Sequence, residues 1–158
     1  MSFSGLLIGN RGEIAIRIAR AAADLGLRAV AVYSEDDAAS LHTRIADEAH
    51  ALSGTGARAY LDRDAIIAAA KATGCDAIHP GYGFLAERAD FAQCCASHGI
   101  TFVGPDVKHL ELFGDKARSR AAAIAAGVPV LEGLDQAVTR EAAGKFFKSL
   151  GPNRAMII

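Results

Sequence analysis

The sequence predicts an α/β fold in which an open, mostly parallel sheet carries helices on both faces. Short, continuously apolar runs alternate along the chain with longer segments in which apolar residues recur every three or four positions. Continuous runs of this kind are typical of strands that a parallel sheet buries on both faces. The chain has 158 residues, 51% of them hydrophobic, so it can fill the core of such a domain.

The first fifth of the chain predicts a complete β-α-β unit. Residues 6–8 form a short apolar run, and residues 29–33 form a longer one. Between them, residues 12–25 have the helical period, and Gly26 supplies the usual glycine stop. A right-handed crossover between two parallel strands is therefore expected.

The same alternation continues to residue 126. Gly74 and Gly99 end two more helical segments, and Gly104-Pro105 ends the strand that follows the second of them. The predicted helices cover 40–47, 62 or 63 to 73, 85–98, 106–113 and 116–126, and the predicted strands cover 49–52, 77–78 and 100–103.

The character of the chain changes near its end. The best domain boundary lies between Gly127 and Gly133, which predicts one domain over 1–130 and the start of a second over 131–158. In that tail, Thr139 can cap a helix through Leu150, and residues 154–158 predict a strand.

The composition bounds the possible functions. The net charge is −1, which argues against a nucleic-acid or anionic-membrane partner. The apolar runs are far shorter than the roughly 20 residues of a membrane-spanning helix, and residues 1–5 lack the basic start of a signal peptide. Three cysteines without a C-x-x-C motif favour reduced thiols in a cytoplasmic protein.

The loop 79–85, with the sequence H-P-G-Y-G-F-L, is the strongest candidate for a ligand site. It follows a predicted strand, where α/β proteins place their ligands. His79 suits either a proton carrier or a loop histidine bonded to the backbone. Tyr82, between two glycines, is expected to be exposed and to suit a flat ring. Glu87 is expected in the first turn of the next helix.

The earlier loop 9–13, with the sequence G-N-R-G-E, resembles half of a dinucleotide fingerprint. Arg11 stands where glycine is required, and Glu13 would repel a pyrophosphate from the helix start. The acids 35–37 could imitate the ribose-binding carboxylate. The favoured alternative is that Glu13 supports its own helix and that Arg11 pairs with an acid in a loop.

A third candidate is Gly114-Asp115-Lys116. Asp115 is a good helix N-cap, which places Lys116 at the first helical position. A lysine is electrostatically misplaced there unless a bound phosphate shares the site; the alternative is a solvated surface lysine.

Taken together, these segments resemble the N-terminal region of biotin carboxylase, the component shared by acetyl-CoA, propionyl-CoA, other acyl-CoA, pyruvate and urea carboxylases. The strings that carry the resemblance, in order, are N-R-G-E-I-A at 10–15, H-P-G-Y-G-F-L at 79–85, F-V-G-P at 102–105 and G-D-K at 114–116. The resemblance covers the chain to about Gly133. It implies a Rossmann-like preATP-grasp domain, with a short C-terminal helix and strand beginning the next domain.

The resemblance also implies a reaction, in which ATP and bicarbonate carboxylate biotin held on a carrier domain, with Mg²⁺ or Mn²⁺ as the metal. It implies that Lys116 contacts ATP and that Tyr82 and Gly83 line the biotin pocket. Arg20 and Asp24 match helix positions near the family's homodimer interface; the alternative is a solvated helix face. The implied partners are the rest of the biotin carboxylase, the biotin carrier domain and the carboxyltransferase component.

The resemblance implies that the family's lid, metal ligands and catalytic residues belong to segments beyond Ile158. The resemblance therefore assigns no catalytic or metal-binding residue here, and it predicts that this polypeptide alone is inactive. Two alternatives stay open. One is a stand-alone preATP-grasp module that binds or oligomerises, and the other is the N-terminal domain of a different ATP-grasp ligase.

Overall fold

The computed structural model describes residues 3–134 and 138–152 and divides the chain into two compact units, Met1–Glu111 and Leu112–Ile158. The predicted domain boundary near residue 130 stays a prediction. The first unit contains a sheet of five strands, which are β1 (Gly5–Ile8), β2 (Arg28–Tyr33), β3 (Glu48–Ala51), β4 (Ala77–His79) and β5 (Thr101–Phe102).

All neighbouring strands of this sheet are parallel, and their order is β3-β2-β1-β4-β5. The register places Leu7 of β1 opposite Val30 of β2 and Ile78 of β4. The predicted α/β class with an open parallel sheet is therefore confirmed. The first unit's helices are α1 (Gly12–Asp24), α2 (His42–Ile45), α3 (Gly56–Ala59), α4 (Arg63–Ala72) and α5 (Ala89–Ser97).

Helices cover both faces of the sheet because successive side chains of a strand point to opposite faces. Leu6 and Ile8 belong to a buried cluster with the apolar side of α1. Leu7 belongs to a second cluster, with Ile66 of α4 and Phe91 of α5. Each of these side chains is at most 4% exposed, and burying one such side chain contributes roughly 1.5–3 kcal/mol.

The helix predicted over 85–98 begins four residues later, at Ala89. Two turns carry the chain through residues 83–88, and Arg88, with a φ of −94° and a ψ of 104°, is extended and precedes the helix. Leu85 is only 3% exposed and enters the core from this loop rather than from a helix face. Consequently Glu87 lies in the loop, and the acid in the first turn of α5 is Asp90.

The helix predicted over 40–47 is also shorter, since α2 covers only His42–Ile45. A 3-10 turn over Glu35–Asp37 precedes it. Asp47 leaves the helix because its backbone N–H donates to Ala29 O (3.0 Å) and its carboxylate accepts the Ala29 N–H (2.8 Å). These two bonds draw the chain to the start of β2 and so into the sheet.

The boundary between the units falls within α6 (Val107–Gly114), and the second unit contains α7 (Lys116–Ala125) and α8 (Arg140–Ser149). The predicted cap of α8 is confirmed, since Thr139 Oγ1 accepts the Ala142 N–H at 3.2 Å. The strand predicted over 154–158 lies outside the described residues. Within the described residues, every helix is too short or too polar to span a bilayer.

Candidate functional site

The two candidate loops of the first unit meet at the point where the strand order reverses direction. β1 and β4 are neighbours in the sheet, and the next strand after β1 lies on its other side. The loop after β1 and the loop after β4 therefore leave the same carboxyl edge, where open α/β sheets bind their ligands. The Gly9 N–H donates to His79 O at 3.0 Å and joins the two loops at their origin.

Asn10 fastens the two loops together. Its side chain is 2% exposed, and its Nδ2 donates to Pro80 O at 2.7 Å and to Tyr82 O at 2.9 Å. Its Oδ1 accepts the Arg11 N–H at 2.9 Å. One buried amide thus satisfies backbone groups of both loops, which fixes the path of the second loop relative to the first.

His79 and Gly81 shape the start of the second loop. Gly81 has a φ of 70°, and a Cβ there would lie 2.7 Å from Asn10 Nδ2, so only glycine fits. Its N–H donates to His79 Nδ1 at 3.0 Å. Burial lowers the pKa of His79 and so favours the neutral ring. Because Nδ1 accepts the Gly81 N–H, the proton of the neutral ring lies on Nε2. Of the two roles open to His79, the structure supports the loop-shaping one.

Tyr82 stands out from this loop, as predicted, with 62% of its surface exposed. Its hydroxyl donates to the carboxylate of Glu13 in the first turn of α1. This hydrogen bond and the negative charge of Glu13 raise the pKa of Tyr82 above its ordinary value. Gly83, next in the chain, has a φ of 63° and open space at the position of a Cβ.

Phe84 is the residue after this pair and has the one positive φ among the described residues other than glycine. Such a conformation is strained for a bulky side chain, and strain of this kind persists only where the surroundings enforce it. The ring stacks on Tyr60 with centroids 5.5 Å apart and an angle of 22°. The Arg11 guanidinium lies 5.6 Å from the Tyr60 ring and 6.0 Å from the Phe84 ring.

Asp37 holds Arg11 and Tyr60 of this aromatic layer in place through its carboxylate. Its carboxylate accepts hydrogen bonds from Arg11 Nη1 (3.1 Å), Tyr60 Oη (2.8 Å) and Ser40 Oγ (3.0 Å). Burial alone would raise the pKa of Asp37, but these donors outweigh it and leave the pKa lowered. The expectation that Arg11 pairs with a loop acid is confirmed, and its partner is Asp37.

The other two acids after β2 are also engaged within the fold. Asp36 accepts hydrogen bonds from Ser34 Oγ at 2.7 Å and from the Gly56 N–H at 2.9 Å. Glu35 accepts the Gly54 N–H at 3.0 Å. These carboxylates connect the end of β2 to the loop after β3. Their hydrogen bonds within the fold argue against a role in binding a ribose.

Between the two loops lies an open depression of 390 Å³, lined by residues 10–14 and 82–84. Its lining includes one cation, Arg11, which Asp37 neutralises, and one carboxylate, Glu13. A phosphate would therefore meet a net negative surface, whereas an uncharged ring can lie against Tyr82 and the glycine-rich backbone. The geometry suits a neutral, planar ligand better than a dinucleotide.

Lys116 lies in the second unit, whereas Tyr82 lies in the first. It occupies the first position of α7, as predicted, and is exposed. Asp115 caps the helix by accepting the N–H groups of Ala117 (2.9 Å) and Arg118 (3.0 Å). An anion at this helix start would therefore depend on the Lys116 ammonium rather than on those two amides. Among the described residues, no three His, Cys, Asp or Glu side chains form a metal-binding group.

Arg20 and Asp24 are exposed on α1, away from the depression. Beside them an apolar hollow of 240 Å³ is lined by Phe3, Leu25 and Val103, among others. Leu25 is 74% exposed. Both charged side chains are accessible to a partner, and nothing in their surroundings within the described residues identifies one.

Sequence reasoning missed how several residues cooperate at this site. Asn10, Glu13 and Asp37 were visible as polar residues after strands, but their partners lie far away in sequence. Asn10 contacts Pro80 across 70 residues, and Glu13 contacts Tyr82 across 69. The order of the strands, which brings β1 beside β4, was needed to place them together.

Comparison with known proteins connects these features to one family. The family model for the N-terminal domain of biotin carboxylase matches residues 2–110. The mitochondrial pyruvate carboxylase of Mus musculus is 53% identical over 137 residues, which are 85% of this chain and 12% of that protein.

Two solved structures agree in fold as well as in sequence. The biotin carboxylase domain of a single-chain bacterial carboxylase matches with a TM-score of 0.89 and 54% identity over 93% of this chain and 34% of that one. A single-chain, multi-domain long-chain acyl-CoA carboxylase matches with a TM-score of 0.88 and 54% identity over 91% and 14%. The chain thus spans between 12% and 34% of the length of these three proteins.

Proposed function

Because the chain belongs to the family of biotin carboxylase N-terminal domains, we propose that it is the N-terminal part of a biotin-dependent carboxylase. In the proposed reaction, ATP and bicarbonate carboxylate biotin held on a carrier domain. The observation that carries this proposal is the match over residues 2–110 together with the loop pair at the sheet's switch point. That pair contains both strings that are most specific to the family, at 10–15 and 79–85.

We assign to Tyr82 and Gly83 a wall of the biotin pocket. The bicyclic head of biotin is uncharged and carries a planar ureido group, which is the chemistry that the depression suits. Tyr82 offers an exposed aromatic face, and Gly83 offers open space without a side chain. Asn10 and His79 contribute by holding the loop, because they bond its backbone.

We assign to Lys116 a contact with the phosphates of ATP. In the proposed reaction, ATP supplies the phosphoryl group that activates bicarbonate. The Lys116 ammonium is exposed at the first position of α7, where the carboxylate of Asp115 is already engaged with the N–H groups of Ala117 and Arg118. An anion beside it would relieve the repulsion between the lysine and the helix dipole. No metal ligand is assigned to this chain, because the resemblance places the family's metal ligands in later segments.

The proposed partners are the rest of the biotin carboxylase, a biotin carrier domain and a carboxyltransferase component, in the cytoplasm. We propose an acetyl-CoA or acyl-CoA type of parent enzyme, supported by the 54% identity to a long-chain acyl-CoA carboxylase. The identity to a pyruvate carboxylase is nearly as high, at 53%, so the acceptor of the parent enzyme has to be tested on the parent enzyme itself. A homodimer through Arg20 and Asp24 is part of the proposal, since both are exposed on α1.

A domain exchange tests the function. The matching third of the bacterial single-chain biotin carboxylase domain is replaced by this chain, and ATP hydrolysis that depends on both bicarbonate and free biotin is measured. We expect turnover in the chimera, a loss of at least about tenfold in Lys116→Met, and none in the isolated chain. A folded chimera without biotin-dependent turnover, or turnover by the isolated chain, contradicts the proposal.

A further inference from the structure

The ring of Tyr82 has little to hold it except one hydrogen bond. The residue lies between Gly81 and Gly83, which both have left-handed φ angles. It is 62% exposed, so packing leaves most of its surface free. A tyrosine in such a loop would sample several rotamers, and each would place the ring differently relative to the depression.

Glu13 supplies the missing restraint from a rigid element. It lies in the first turn of α1, whose buried side chains Ala15, Ile18, Ala19 and Ala22 pack on the sheet. Its carboxylate accepts the Tyr82 hydroxyl, so the position of the ring is fixed relative to the sheet rather than to its own loop. The backbone of Tyr82 is held independently, through its carbonyl, by Asn10.

We propose that Glu13 is a positioning residue. Its carboxylate holds the Tyr82 ring in one orientation at the edge of the depression, ready to contact the planar, uncharged ligand. This inference rests on the proposed function, because it takes biotin as that ligand. Restricting the ring before binding reduces the entropy lost when the ligand arrives. Glu13 therefore increases affinity through its effect on the ring of Tyr82.

The same contact explains why Glu13 is compatible with a helix start that resembles a phosphate site. A carboxylate in the first turn interacts favourably with the helix dipole. The group that it accepts a hydrogen bond from, the Tyr82 phenol, is uncharged. The carboxylate thereby excludes phosphates from the depression while it organises the aromatic wall. The residue that argues against dinucleotide binding thus becomes part of the proposed biotin site.

The test compares Glu13→Gln, Tyr82→Phe and the double variant in the full 158-residue chain. Glu87→Gln, which removes an exposed carboxylate from the same loop, is the matched control. The titration of each tyrosine ring is followed by NMR with ring-labelled tyrosine. We expect the pKa of Tyr82 to fall in Glu13→Gln and to stay unchanged in Glu87→Gln, because the contact with Glu13 raises it.

Affinity is measured in the same samples with a biotin amide, from its shifts of backbone amide signals. Each single variant should bind about three- to tenfold more weakly than the unmodified chain, and the double variant should be no weaker than either. An unchanged Tyr82 titration in Glu13→Gln, or fully additive losses of affinity, overturns the positioning role. If the unmodified chain binds no biotin amide while the titration shifts as expected, the proposed function fails and the contact itself stands.

Discussion

Replacing Asn10 by alanine should remove the contacts that join the two loops of the candidate site and should destabilise the whole first unit. The change removes one buried hydrogen bond, to Pro80 O, and two partly buried ones, to Tyr82 O and from the Arg11 N–H. A buried polar group left without a partner costs about 1–3 kcal/mol, and a partly buried one costs less because water reaches it. The sum predicts a loss of about 2–5 kcal/mol, a large share of the stability of a typical domain.

Urea denaturation followed by tyrosine fluorescence measures this loss selectively. The chain has three tyrosines and no tryptophan, and Tyr33, Tyr60 and Tyr82 all lie in the first unit. The signal therefore reports that unit even if the second unfolds separately. Gln93→Ala, which removes an exposed amide from α5, is the control and should change stability by less than about 0.5 kcal/mol.

A second variant at the same position tests the direction of the hydrogen bonds. Asn10→Asp keeps the shape but points a carboxylate oxygen at two carbonyl oxygens, so at neutral pH it should be at least as unstable as Asn10→Ala. The folded state would favour the protonated acid, which raises its pKa, and stability should therefore be recovered as the pH falls. A loss below about 1 kcal/mol in Asn10→Ala, or a fully stable Asn10→Asp at neutral pH, refutes the reasoning.

Three further predictions follow from other contacts. Phe84→Ala should lose about 2 kcal/mol of stability with the stack on Tyr60, and Phe84→Gly should be about 1 kcal/mol more stable than Phe84→Ala because glycine tolerates the φ of 45°; urea midpoints test both. Burial lowers the pKa of His42 and His79, so the unfolded chain binds protons first as the pH falls below about 6.5. The urea midpoint should therefore drop with acidification, and His79→Asn should flatten part of that dependence. Asp115→Ala removes the cap of α7, and its helical circular dichroism should decrease for a cost of about 1 kcal/mol.

Local signals in the sequence predicted most of the fold. The glycines after α1, α4 and α5 have φ angles between 65° and 70°, which confirms them as helix stops. The continuous apolar strands correctly indicated a parallel sheet. The order of the strands was not predictable in this way, because it depends on pairing between residues distant in the chain. The error at 85–98 has a local cause, since Arg88, inside the predicted helix, is extended and caps α5.

In the candidate site, too, local features were predictable and contacts between distant residues were not. The exposure of Tyr82, the cap formed by Asp115 and the ion pair of Arg11 each followed from residue type and position. The contacts from Asn10 to the second loop and from Glu13 to Tyr82 did not, because they cross about 70 residues. The resemblance to biotin carboxylases identified the loop's family, and the structure supplied what holds the loop in place.

An NMR titration of this chain with a biotin amide, and separately with NADH, tests the central claim most directly. If the loops at the switch point form a wall of a biotin pocket, the biotin amide should shift the backbone signals of residues 10–14 and 82–84, and NADH should leave them unchanged. Shifts at residues 9–13 with NADH, together with none from the biotin amide, would contradict the account.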